Sequence, residues 1–328
     1  MRDHSNTRIL LPPDLMGSAP PVRQAADLAR RASQSDEPVL IVAEPGFSPE
    51  EIARAIHRSG PRAARPFIAI DCGDSAGTLM VRLFGAGKVS RSDYETVRRD
   101  GALSRVGAGT IFFSGISEMP AAVQVRLSRL LRDGEMRVGK SPAPMRFRLM
   151  AAAIPGLDGD VREHRFRPEL YRRLQRLRVD VPPLRDRTSD LPLLIDAVLS
   201  DICRARGVSC QLAPAARTAL AALRWGGNLD EVREVLGRLV DQCTEGLIRQ
   251  EDVLADLQEP QGRPRPQPVP ASLRDARQTF ERQYISTVLE EYGWRMTEAA
   301  RVLGIERANL YRKTRQLGIT RLKPSRAS

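Results

Sequence analysis

At 328 residues, with 41% apolar and 28% charged side chains, the chain has the composition of a globular protein and the length of two or three domains. No apolar run approaches the roughly 18 residues of a membrane span, and the N-terminus lacks the apolar stretch and cleavage site of a secretory leader, so membrane-embedded classes are excluded and a cytoplasmic protein is expected. The formal net charge is +12, and +8 of it, from 14 Lys/Arg against 6 Asp/Glu, lies between Gln261 and Ser328; such a segment attracts polyanions, of which nucleic acid is the common one.

Residues 1–14 read as a short N-terminal extension. From 15 to 188, apolar runs alternate with helix-like patterns. VLIVA (39–43), PFIAIDC (66–72), TIFFSG (110–115), FRLMAAA (147–153) and LRVDVPP (177–183) predict strands. PEEIARAIHRSG, SAGTLMVRLFG and PAAVQVRLSRLLRDG space apolar residues at three and four, as amphipathic helices do. The alternation predicts an α/β core, a mostly parallel sheet with helices on both faces. Over 189–258 the strand signal disappears, and three helical patterns predict an all-helical subdomain. EPQGRPRPQPVP (259–270) holds five prolines and predicts a semi-extended linker, 259–271. The remainder, 272–328, reads as a separate helical domain.

Cys72, Cys203, Cys210 and Cys243 include no CxxC pair and no histidines at zinc spacing, so reduced thiols and no metal are expected. His57 and His164 have no ligand partners in the pattern and read as surface or interface residues.

In the last domain, Phe280, Tyr284, Ile285, Val288, Leu289 and Tyr292 share one helical face. Thr297 is placed as the N-cap of a short helix, Glu298–Leu303; Gly304 turns the chain, and a second helix runs from about Arg307 to Leu317. Ala299, Ala300, Leu303, Ile305 and Leu310 are positioned to pack the two together. This is a helix-turn-helix pattern, whose second helix enters the major groove. Thr297, Arg307, Asn309, Arg312, Lys313, Arg315, Arg321 and Lys323 are the candidate DNA contacts, with Asn309 and Arg312 suited to base edges and Lys313, Arg315, Arg321 and Lys323 to phosphates. The stretch ERQYISTVLEEYGWRMTEAARVLGIERANLYRKTRQLGI resembles the Fis-type helix-turn-helix that ends bacterial enhancer-binding proteins. That resemblance implies a dimer formed through the long preceding helix and a DNA site of two half-sites.

The body resembles the AAA+ domain of sigma-54-dependent activators. LMGSAPPVRQAADLARRASQSDEPVLIVAEPG, LFGAGK, GAGTIFFSGISEMPAAVQVRLSRLLRDGEMRVG, FRPELYRRLQRLRVDVPPLRDRTSDLPLL and RWGGNLDEVREVL keep that family's order. The resemblance implies an AAA+-like core with a helical lid. It also exposes departures. Against a family phosphate loop like GESGTGKE, the chain has Ala43, Gly46, Ser48 and, at the lysine position, Pro49. Ser114 and Gly115 stand where the family has the Asp and Glu that hold magnesium and activate water. Ile154 replaces a polar residue after the next strand, Asp230 replaces the lid arginine, and VSRSDY (89–94) stands where a GAFTGA loop touches sigma-54. Arg167 and Arg173 match the arginines that reach a neighbour's nucleotide. No cofactor and no enzymatic activity are expected from this set. The expected function is a sequence-specific, nucleoid-associated transcription regulator with an inactive AAA+-like scaffold, independent of sigma-54, with RNA polymerase or another regulator as protein partner. The alternative is a protein that modulates an intact relative by hetero-oligomerisation.

Overall fold

The computed structural model describes residues 12–86, 95–138 and 141–258, together with 284–285, 288–289, 292, 295–305, 309–310 and 313–314 near the C-terminus. The chain divides into two units, Met1–Gln258 and Glu259–Ser328. The first opens with a 3-10 turn, Pro13–Leu15, and helix α1 (Pro20–Ser33). Strand β1 (Val39–Val42) feeds α2 (Pro49–Arg58), and β2 (Phe67–Asp71) feeds α3 (Ala76–Phe84). A short β3 (Thr96–Val97) and one turn of helix, α4 (Ala102–Arg105), precede β4 (Thr110–Ser114) and α5 (Ala121–Asp133). Then come a hairpin of β5 (Glu135–Val138) and β6 (Ser141–Pro144), strand β7 (Arg148–Ala153), helices α6 (Leu157–Arg162) and α7 (Pro168–Leu174), and β8 (Leu177–Asp180).

The five strands expected from the sequence form one parallel sheet in the order β2-β4-β7-β1-β8. Side chains of β1 alternate between two cores. Val39 and Ile41 pack with α1 and α2 on one face, Leu40 and Val42 with α3, α5 and α7 on the other. Coverage on both faces is why the run is apolar at every position. Nothing in the sequence marks the separate sheet β3-β5-β6. Its strand β3 has only two residues, and β6 carries Pro142 and Pro144, tolerated because β6 pairs on one side only.

Beyond β8 lie α8 (Leu191–Arg206), β9 (Gln211–Leu212), α9 (Pro214–Ala221), α10 (Asn228–Gln242), β10 (Leu247–Ile248) and α11 (Gln250–Gln258). The lid is therefore not purely helical: β9 and β10 pair in parallel, in pieces too short to show a period. A fourth helix, α11, joins the expected three. Lid residues Leu194, Ile195, Val232 and Leu236 belong to the same buried cluster as Val39 and Ile41.

Two buried polar side chains fasten α1 and α2. Arg148 is 3% exposed and donates to the carbonyl oxygens of Ala32 at 2.6 Å and Glu37 at 3.1 Å, a cation at a helix C-terminus; burial pushes its pKa down to about 10. His57 is 5% exposed and sits inside the body, where a surface or interface residue was expected. Its Nε2 lies 3.1 Å from the Arg65 carbonyl oxygen and its Nδ1 2.9 Å from Thr110 Oγ1. A carbonyl only accepts, so Nε2 carries the hydrogen and Nδ1 accepts from the hydroxyl. Burial holds this imidazole below its ordinary value of 6.5. The unfolded chain then binds a proton where the folded chain does not, so stability falls as pH drops below 6.5. His57→Gln is expected to flatten that acid limb in a plot of Tm against pH; an unchanged slope would assign the acid sensitivity elsewhere.

In the second unit, Ile285, Val288, Leu289, Ala299, Ala300 and Leu310 form a small core flanked by Tyr292, Met296, Leu303 and Ile305. Helix α12 (Met296–Val302) precedes a turn at Gly304, whose φ of 65° suits glycine. Tyr284, expected on the apolar face, is 53% exposed. Phe280 lies outside the described residues.

Candidate functional site

In an open parallel sheet, the ligand crevice lies beyond the carboxyl ends of the strands, where the order reverses. The turn between β1 and α2 occupies that place. Ala43 is buried, and its N–H bonds the Ala153 carbonyl at 3.1 Å. It therefore extends the strand and does not open the loop. Gly46 has a φ of 90°, and a Cβ there would stand 1.9 Å from the Gly227 carbonyl oxygen. Glycine is required because the lid backbone rests on the turn.

Lid and turn are joined by named bonds. The Asp230 N–H donates to the Gly46 carbonyl at 3.0 Å. Asn228, buried with a φ of 52°, donates from Nδ2 to the Pro45 carbonyl at 2.9 Å and accepts at Oδ1 from the Leu184 N–H at 3.1 Å. Arg185 grips Glu44 with two bonds of 2.6 and 2.8 Å, which holds that carboxyl below its ordinary value. Ser48 precedes α2 without a side-chain cap; its N–H donates to Asp14 Oδ1 at 2.7 Å. Pro49 begins α2, where its missing N–H costs nothing.

Asp14 belongs to a buried polar cluster that sequence reasoning missed. It is fully buried, and its Oδ2 has no hydrogen-bond partner; the Arg233 guanidinium is 3.9 Å away. Arg187, 1% exposed, donates from Nη1 to the Met16 carbonyl at 3.3 Å and lies 5.4 Å from the Phe47 ring centre. Burial pushes Arg187 down to about 10, against the opposing pull of Asp14 and Asp190. Asp190 Oδ1 accepts from the Ser18 N–H at 2.7 Å, the Ser18 hydroxyl at 3.1 Å and the Ala19 N–H at 3.2 Å. It supplies from the lid the cap that Ala19, at the start of α1, cannot give itself.

A triphosphate needs converging backbone N–H groups and a cation at the loop. Here the Ser48 N–H is taken by a carboxylate, Pro49 has neither N–H nor charge, and the charged side chains bonded to the turn include Glu44 and Asp14. The residues present do not fit a triphosphate in this arrangement. Elsewhere on the crest, Ser114 ends β4 and accepts the Cys72 N–H at 3.0 Å. Gly115, with a φ of 60°, opens the turn Ile116–Glu118. Ile154 is 53% exposed after β7, and the Asp230 carboxylate pairs with Arg233 at 2.9 Å.

Arg167 and Arg173 come together on α7 and the residue before it. The Arg167 N–H donates to Gln124 Oε1 at 2.9 Å, and its guanidinium is 3.6 Å from Glu169. Both arginines line an open groove of about 1420 Å³, with Arg129, Arg132, Arg172 and Arg176. Among the described residues no metal-binding cluster occurs and no helix is long and apolar enough to cross a membrane.

In the second unit α12 begins at Met296 with Arg295 as its cap residue, so Thr297 is an exposed first-turn residue and not the N-cap. Asn309 and Lys313, four apart on helical residues, are half-buried, while Leu310 and Thr314 are buried. Arg307, Arg312, Arg315, Arg321 and Lys323 lie outside the described residues, as does the 89–94 segment.

Three family models match in chain order: the Sigma-54 interaction domain at residues 15–180, the AAA+ ATPase lid domain at 185–269, and the Bacterial regulatory protein, Fis family, at 276–317. The chain is 31% identical over 311 residues to the response regulator protein PilR of Pseudomonas aeruginosa, covering 93% of this chain and 70% of PilR. It is 32% identical over 331 residues to the DNA-binding transcriptional regulator NtrC of Salmonella typhimurium, with the same coverage. It is also 32% identical over 294 residues to the Nif-specific regulatory protein of Azotobacter vinelandii, covering 89% of this chain and 56% of that one. The crystal structure of NtrX from Brucella abortus in complex with ATP superposes with a TM-score of 0.63 at 26% identity, covering 93% of this chain and 69% of that one. These findings overturn the expectation of a non-enzyme. The body matches an interaction domain whose relatives are AAA+ ATPases, its lid matches an AAA+ ATPase lid, and a neighbour of the same fold was solved with ATP. With a family model spanning half of its length and relatives matched along more than nine-tenths of it, the chain belongs to the sigma-54 interaction domain family of enhancer-binding proteins, AAA+ body, lid and Fis-type helix-turn-helix included.

Proposed function

We propose that the chain is a sequence-specific transcription regulator of the cytoplasm and nucleoid, whose body serves as a scaffold and protein-interaction module and which works independently of sigma-54. The observation that carries the reading is the C-terminal unit, where a compact apolar core supports helical residues Asn309 and Lys313 within the most basic part of the chain. Two copies, paired through the helix that precedes α12, would set recognition helices about 34 Å apart on one face of DNA. Asn309 and Arg312 then read base edges, with Arg307 on the same helix; Lys313, Arg315, Arg321 and Lys323 neutralise phosphates, so affinity falls steeply with salt. Independence from sigma-54 is inferred from VSRSDY at 89–94, which offers charge where an apolar plug would dock. RNA polymerase or another regulator is the protein partner.

Arg312→Ala tests the reading. One guanine contact is worth about 1–3 kcal/mol of discrimination, so specific binding to a site selected from random DNA is expected to weaken about 5- to 150-fold while binding to mixed DNA changes little. Unaltered specific binding would remove Arg312 from the interface. A second reading is favoured by the groove that gathers Arg167, Arg173 and four more arginines: the chain would enter hexamers of an intact relative and offer these arginines at the seam. Co-purification with such a relative, lost on Arg167→Ala with Arg173→Ala, distinguishes it.

A further inference from the structure

Two of the four thiols meet in the lid. Cys210 lies in the connection between α8 and β9, and Cys243 caps the end of α10. Although 33 positions apart in the chain, their sulfurs stand 2.8 Å from each other, with the Cys210 S–H donating to the Cys243 sulfur. Backbone bonds hold both sides of the pair. The Val208 N–H bonds the Cys203 carbonyl at 3.1 Å, the Gln211 N–H bonds the Gly246 carbonyl at 2.9 Å, and the Cys243 N–H bonds the Val240 carbonyl at 3.3 Å. Both thiols are half-buried, within reach of small solutes, whereas Cys72 is fully buried under the sheet. Cys203 is buried beside the pair, its S–H directed at the Cys210 carbonyl at 3.8 Å. A disulfide has an S–S length of about 2.05 Å, so the two sulfurs, at 2.8 Å, are close to bonding distance.

We infer that Cys210 and Cys243 form a peroxide-responsive dithiol that closes to a disulfide inside the lid. The Cys210 S–H donates to the Cys243 sulfur, so Cys210 holds its proton toward its neighbour and the first oxidation is placed on Cys243. The Cys243 sulfur attacks hydrogen peroxide, the O–O bond breaks, and a sulfenic acid forms with release of one water. The Cys210 sulfur then displaces the sulfenic hydroxyl. The S–S bond forms, and the hydroxyl leaves as a second water with the Cys210 proton. Two thiols lose two electrons in all, and one peroxide is reduced to two waters. The neighbouring thiol captures the sulfenic acid before a second peroxide can. The cross-link would tie the entry of β9 to the exit of α10 and close a loop containing α9 and all of α10.

Trypsin cuts after Arg204, Arg206, Arg217, Arg238 and Arg249, which places Cys203, Cys210 and Cys243 in three separate peptides. The test treats the reduced full-length chain with hydrogen peroxide, blocks remaining thiols with iodoacetamide and maps the digest by mass spectrometry. Peptide 207–217 joined to 239–249, released by dithiothreitol, is the expected product. Cys203→Ser should retain it, while Cys210→Ser and Cys243→Ser should each abolish it. Recovery of both alkylated cysteines at a peroxide dose that oxidises added glutathione would overturn the inference. So would a link through Cys203, or a Cys243 sulfinic acid without the cross-link.

Discussion

Replacing Asp190 with alanine is expected to lower the unfolding free energy of the body by about 3–5 kcal/mol, measured as a shift of its denaturant midpoint at unchanged slope. Asp190 is 2% exposed and accepts three hydrogen bonds from Ser18 and Ala19. Alanine leaves the buried Ala19 N–H and the part-buried Ser18 N–H without this acceptor and removes a counter-charge that faces Arg187. Each buried donor left unmade costs about 1–3 kcal/mol. The control is Asp196→Ala, which breaks an exposed pair with Arg217 whose side chains are both more than two-fifths accessible; it is expected to cost less than about 1 kcal/mol. Equal effects for the two variants would refute the role given to Asp190.

Asp14→Ala is expected to cost about 3 kcal/mol, by freeing the Ser48 N–H and by taking a second negative charge from the buried Arg187. The isosteric variant divides the effect. Asp14→Asn keeps an oxygen for Ser48 and loses only the charge. Recovery of most of the stability would assign the effect to the hydrogen bond. A loss equal to that of alanine would assign it to the ion pair. A neutral alanine variant would mean that Asp14 does not hold the turn at all.

The central sheet was legible because strands covered on both faces must be largely apolar, as the inner strands β1, β4 and β7 are; the edge strands are less buried, and β8 carries Arg178 and Asp180. The helix-turn-helix core was legible for a similar reason: Ala299, Ala300 and Leu310 sit at helical spacing and pack as their pattern requires. The buried charges were not. Asp14 falls in a segment that reads as an extension, and Asp190 in a polar run, RDRTSD, with no periodic signal to mark it as buried. Only the tertiary fold brings them beside Arg187. His57 was misplaced because a lone histidine carries no periodic signal. The Cys210–Cys243 approach depends on two turns distant in sequence. The expectation of no enzyme failed for a different reason: it weighed a handful of side chains around Pro49, Ser114 and Gly115, whereas kinship is carried by more than two hundred residues of matched fold.

The lid and one face of the sheet share a single apolar cluster, with Ile195, Val232 and Leu236 in the same body as Ile41 and Ile52. A swing of the lid would therefore wet oil-like surface at roughly 25 cal/mol for every Å² uncovered, so wide opening belongs to partial unfolding and not to thermal rocking. Any signal that crosses this body has to travel as a small slide between packed side chains, or wait for the whole cluster to melt.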